Sequence, residues 1–164
     1  FKHDREIDLY AEHRVQQALK NEFAYIFSEL QYPGLPRVIL NDIDGSTLHI
    51  QGVAVTPIQT MHYKLPVFGF RINDFTYITD AKTISAQEKE KIKGSKILVL
   101  NALRKEPHIS HFSLSEAIAL AQEIGAEQTY FTHISHQLGL HDEVQSQLPE
   151  NIYLAYDGLT IEIN

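Results

Sequence analysis

Residues 37–80 read RVILNDIDGSTLHIQGVAVTPIQTMHYKLPVFGFRINDFTYITD. Within them RVILNDI, TLHIQGVAV, VFGFRI and FTYIT are rich in β-branched and aromatic residues, which suit a pleated, half-buried surface. Each run is short, and turn residues such as Asp44-Gly45 and Asn73-Asp74 separate them. The stretch predicts successive strands, mostly antiparallel.

The flanks supply helices. EIDLYA (6–11) predicts a short strand. Residues 12–28 predict a helix, with Val15, Leu19, Phe23 and Ile26 on one apolar stripe. YPGLP at 32–36 stops it. Downstream, Ser85-Ala86-Gln87-Glu88 is a capping-box sequence opening a short polar helix that Gly94 ends. KILVLNAL (96–103) has the apolar continuity of a buried strand. Ser113-Leu114-Ser115-Glu116 opens a second helix, running to Gly125. TYFTHI (129–134) predicts a strand and 140–147 a short helix. IYLAY and LTIEI, joined at Asp157-Gly158, predict a closing hairpin. This order describes an α/β (α+β) chain, a sheet covered by helices, in a single domain over 1–164.

Composition narrows the function. Hydrophobic residues at 43% and charged residues at 21% exclude wholesale disorder. Lys+Arg 14 against Asp+Glu 21 leaves −7, a poor basis for gripping nucleic acid through a basic face. The absence of cysteine excludes a disulfide framework, a thiolate zinc site and a cysteine nucleophile. No apolar run approaches the roughly 20 residues of a membrane helix, so no membrane partner is expected. The opening FKHDREIDLY is charged and unlike a signal peptide. A cytoplasmic location is the expectation, although a chain without cysteine fits cytosol or periplasm alike.

The nine histidines are the chemical content. His3, His13, His49, His108 and His141 read as solvated loop or helix residues. His62, Asp80 and His133 each fall at the carboxyl end of a strand, where loops build sites in sheet-and-helix folds. Imidazole and carboxylate are donors that zinc, manganese and iron accept. A carboxylate ending an apolar strand is costly unless paired or cation-bound; the alternative for Asp80 is a cap or turn ahead of Ser85. His111 lies two residues before a helix, as a general acid, an anion donor or a solvated loop residue. His136, three residues after His133, is a substrate contact, a support behind the ligands or a surface residue. No phosphate-cradling glycine loop, GxSxG or HExxH is present.

In order along the chain stand HYKLPVFGFRI (62–72), YITDAK (77–82), HFSLSEA (111–117), FTHISH (131–136) and the LP…AYDGL of 148–159. Together they resemble the metallo-β-lactamase-fold hydrolases, and within them the phosphoribosyl cyclic phosphodiesterase group. The resemblance implies an αββα sandwich and two divalent cations, zinc or manganese. It implies His62 as a ligand of one metal, Asp80 as the bridging ligand and His133 as a ligand of the second. It gives His111 a place beside the substrate phosphate, as acid or orienting group. The implied substrate is a small cyclic phosphate or other phosphodiester. Alternatives are a tRNA 3′-processing nuclease of the same fold, which would need a basic surface, and a non-catalytic module. The group's H-x-H-x-D-H motif, with four of seven protein ligands, does not occur here. The expectation is therefore a carboxyl-terminal portion of a longer enzyme, an incomplete sandwich, inactive alone and prone to homo-oligomerise.

Overall fold

The computed structural model describes residues 6–28 and 34–163. They form two compact units, one reaching to Ser46 and one starting at Thr47. His3, Tyr32 and Pro33 lie outside the described residues.

In the first unit β1 (Ile7–Ala11) and β2 (Val38–Asp42) pair in parallel, with α1 (His13–Glu22) between them in sequence. This corrects the antiparallel expectation for 38–42. A run of apolar residues specifies a strand but not the direction of its partner, and a helix between two strands allows the parallel form. Helix α1 is also shorter than its sequence pattern. It ends at Glu22, where Phe23, Tyr25, Ile26 and Phe27 are aromatic and β-branched residues that lose side-chain freedom in a helix. Its apolar stripe is not the buried face, since Val15 is 38% and Phe23 43% exposed. The buried helix residue is Gln16, whose Nε2 donates to the Ala11 carbonyl at 2.9 Å and to Asp42 Oδ1 at 3.1 Å.

The second unit is one eight-stranded sheet. Its strands are β3 (Leu48–Ile50), β4 (Val53–His62), β5 (Leu65–Ile72), β6 (Phe75–Ile78), β7 (Thr83–Ile84), β8 (Ile97–Asn101), β9 (Gln128–Thr132) and β10 (Ile152–Leu154). The order is β10-β9-β8-β6-β5-β4-β3, with β7 pairing β4. Strands β3 to β6 are antiparallel to their neighbours, as the sequence predicts, while β6, β8, β9 and β10 run parallel. Since β4 is antiparallel to β5 and β5 to β6, the carboxyl ends of β4, β6, β8 and β9 point the same way.

The helices are α2 (Ala86–Ile92), α3 (Leu114–Ile124) and α4 (His141–Gln145). Helix α3 has a complete capping box between Ser113 and Glu116, and Gly125 ends it with φ 68°. Helix α2 has only half a box. Ser85 accepts from the Glu88 N–H, but the Glu88 carboxylate turns to the Gln59 N–H and to Lys91.

The two sheet faces differ. Ile78, Leu100, Phe131 and Leu154 are adjacent in register and fully or nearly fully buried in the core with Ile92, Ala117, Leu120, Ala121 and Ile124 from the helices. One residue earlier, Phe70, Tyr77, Val99, Tyr130 and Tyr153 form an apolar row on the opposite face. The expected closing hairpin is absent from the described residues. Strand β10 pairs in parallel with β9, and 159–163 form no strand. Instead Leu159, Ile161 and Ile163 line a groove of about 310 Å³ with Tyr77, Val99 and Tyr130. Burying alternate apolar residues on that row competes with pairing to β10, and burial prevails. No helix among the described residues is long and apolar enough to cross a membrane.

Candidate metal centre

The strand carboxyl ends bring together residues far apart in sequence. His62 ends β4. Asp80 follows β6 by two residues, and His133 follows β9 by one. His111 comes from the loop between β8 and α3. Asp80 Oδ1 accepts from His111 Nε2 at 3.0 Å and lies 3.3 Å from His133 Nε2. The His111 ring stacks on His133 with centroids 4.7 Å apart and meets His62 edge-on at 4.7 Å. One ligand atom each from His62, Asp80 and His111 lie within 4.8 Å of one another.

Backbone conformation aims two of these side chains. Asp80 has φ 55° and His133 φ 57°, in the left-handed region that few non-glycine residues occupy. Such conformations persist where surrounding bonds hold them. Around Asp80 those bonds are visible. Asn101, fully buried at the end of β8, accepts from the Ala81 N–H at 2.9 Å and donates to the Ala81 carbonyl at 3.0 Å. The Phe112 N–H also reaches the Ala81 carbonyl, and the Lys82 N–H reaches Met61. Lys82 Nζ then binds both oxygens of Glu116 at 2.7 and 2.8 Å, tying the loop to the first turn of α3.

Electrostatically the centre has a closed and an open side. The His111 side chain is 11% exposed, those of His133 and Asp80 38% and 48%. Burial holds His111 below the usual imidazole range. The hydrogen bond to Asp80 opposes that shift, and charge on His133 and His62 adds to it. Because a carboxylate accepts at Nε2, the His111 proton sits there and Nδ1 faces away from Asp80. Nδ1 lies 2.9 Å from Ser110 Oγ and 3.2 Å from His108 Nδ1. The Ser110 N–H reaches His108 Nδ1 at 3.3 Å.

His108 is therefore half-buried against the cluster, not a solvated loop residue. Its sequence signal was proximity alone, His108 and His111 standing three apart in one loop. Asn101 had a clearer one, a polar residue at the end of an unbroken apolar run. His136 is exposed on the loop after β9 and makes none of the cluster's hydrogen bonds.

Comparison with known proteins places the chain in a family. The beta-lactamase superfamily domain matches residues 2–134, and the chain belongs to that superfamily. Its architecture is that of the metallo-β-lactamase fold. A new diphosphatase from the PhnP family has a crystal structure similar to it, at TM-score 0.88 and 33% identity, over 98% of this chain and 60% of that one. The metallo-beta-lactamase fold protein YhfI from Bacillus subtilis shares the fold at TM-score 0.68 and 20% identity, over 95% of this chain and 65% of its own. An octanoyltransferase of Porphyromonas gingivalis (strain ATCC BAA-308 / W83) is 34% identical over 157 residues, 94% of this chain and 32% of that protein. The chain thus spans about a third of one relative and under two thirds of the others.

Proposed function

We propose that the chain supplies part of the active site of a metal-dependent hydrolase, a phosphodiesterase acting on a small cyclic phosphate or other phosphodiester. The observation that carries this reading is one carboxylate oxygen, on Asp80, facing both His111 and His133 beside His62. The similarity to a diphosphatase at 33% identity supports phosphate-ester chemistry. The match to the octanoyltransferase covers 32% of that protein and gives no ground for carrying its name across.

The donors suit a divalent cation, zinc or manganese. Two donors each about 2.1 Å from a tetrahedral ion lie about 3.4 Å apart; Asp80 Oδ1 and His133 Nε2 are 3.3 Å apart. His62, Asp80 and His133 would hold the metal ions. Such a pair, when bound, makes a nucleophile from water at neutral pH and stabilises charge on phosphorus. His111, whose Nε2 faces Asp80, offers an N–H to the substrate. It orients a phosphate oxygen through that N–H and, in the stronger role, acts from its protonated imidazolium form, giving one proton to the leaving oxygen and returning to neutral imidazole. His136, on the same loop as His133, is assigned an outer contact to the substrate. A protein of charge −7 meets its phosphate anion through the local cations, and a small-molecule ester suits it better than nucleic acid.

The test has two arms. Calorimetric titration of the 164-residue chain with zinc and manganese should show binding that Asp80→Ala abolishes. Hydrolysis of a simple aryl phosphodiester is then compared between this chain and a version extended before Phe1. Turnover is expected only in the extended version, falling to background on Asp80→Ala. Full turnover with Asp80→Ala would sink the proposal.

A further inference from the structure

The β4–β5 hairpin has a two-residue loop, Tyr63-Lys64, closed by the pair His62 and Leu65. Of the two, only Tyr63 lies in the left-handed region, at φ 57°. This first loop position is one where tight hairpins favour glycine or asparagine. Among the described residues, the other non-glycine positions with positive φ are Gln51, Asn73 and Asn151, which are polar turn residues, and the cluster members Asp80 and His133. Tyr63 alone among them is a large apolar side chain, and for such a residue the conformation is a real cost. Folding gains nothing evident from that cost, because Tyr63 is 52% exposed.

The side chain does have a place beside the cluster. Tyr63, Leu65 and Ile109 line a cavity of about 450 Å³ together with His62, Ser110 and Lys64. His62 belongs to the cluster, and Ser110 bonds His111. Leu65 is 45% and Ile109 65% exposed, so the wall facing the opening is apolar. Lys64 Nζ sits 5.3 Å from the Tyr63 ring centroid, which sets a cation at the rim. An apolar slot with one cation, abutting a phosphate-type centre, matches a flat ring carried on an anionic group.

We infer that this slot is the subsite for an aromatic ring attached to the phosphate ester, with Tyr63 as its stacking wall and Lys64 meeting the ester's charge. The inference rests on the phosphodiesterase reading and names the substrate class within it. The ring is that of a nucleobase or of a simple aryl group.

Ligand-observed saturation-transfer NMR on the full 164-residue chain tests it with adenosine 5′-monophosphate, phenyl phosphate and ribose 5-phosphate. Stacking on one aromatic wall should make the two ring-bearing probes bind roughly five- to tenfold tighter than ribose 5-phosphate. Saturation should be strongest on their ring protons. Tyr63→Asn should erase that preference and leave ribose 5-phosphate unchanged. It should also keep or raise the thermal midpoint, because asparagine tolerates the turn. A tighter adenosine probe identifies a nucleoside ester, and a tighter phenyl probe an aryl one. Equal binding of all three probes, no binding of the ring-bearing probes at millimolar concentration, or a ring preference surviving in Tyr63→Asn overturns the subsite. Ring preference without metal-dependent hydrolysis in the extended version would instead overturn the phosphodiesterase reading alone.

Discussion

Asn101 shows how one side chain supports the centre without touching it. Both of its amide atoms are spent on Ala81, the residue after Asp80. Asn101→Leu keeps the branched shape but leaves the buried Ala81 N–H without an acceptor, while Phe112 still serves the carbonyl. Such an orphaned donor costs about 1–3 kcal/mol. A lowered urea midpoint, with zinc affinity down roughly tenfold or more, is the expected result; unchanged affinity would remove Asn101 from the centre's support. His111 gives a second expectation, in pH. Its folded value lies below the ordinary one, so below about pH 6.5 the unfolded chain takes up this proton first. Stability of the metal-free chain should therefore fall from about pH 6.5 downward, until His111 itself protonates, and stay flat with respect to this group above. Urea midpoints of wild type and His111→Gln across that range measure it. The variant should show the shallower slope.

At the scale of elements, Gly69 decides how close β5 can lie to β6. A Cβ there would stand 2.7 Å from Ile78 Cγ1 and 2.8 Å from the Tyr77 carbonyl oxygen. Backbone cannot yield as a flexible side chain can, so Gly69→Ala should cost about 1–3 kcal/mol, read by thermal denaturation. It should also disturb Asp80, two residues beyond Ile78. Much at this level was legible in advance. The strands from 48 to 78, the buried run in β8 and both serine N-caps follow from residue type and spacing. So do the strand-end positions of His62, Asp80 and His133. What was not legible depended on partners. The parallel pairing of β1 and β2, the tail lying on Tyr77 and Tyr130, and Asn101 reaching Ala81 are long-range choices with no local periodicity to announce them. His108 was missed for the same reason, since only the folded loop turns its ring to His111.

For the molecule as a whole, the row from Phe70 to Tyr153 is the feature with consequences for assembly. The 159–163 segment lies along part of it, yet Tyr77 remains 42% and Ile163 49% exposed. An apolar face of this kind favours association. Light scattering at micromolar concentration should report a homo-oligomer, and Tyr77→Lys should shift it toward monomer. A strictly monomeric wild type would contradict the expectation.

The three strand ends that meet at Asp80 come from the middle and from both flanks of the sheet. A cation held there is therefore a clasp across β4, β6 and β9, and its binding free energy is shared by strands that never touch the ion. Amide protons deep in β8 and β9 exchange with deuterium only through openings large enough to part those strands. Zinc should slow that exchange in proportion to its occupancy, far from any ligand. It should leave unchanged the exchange of amides near Asp157-Gly158, which open without disturbing the clasp.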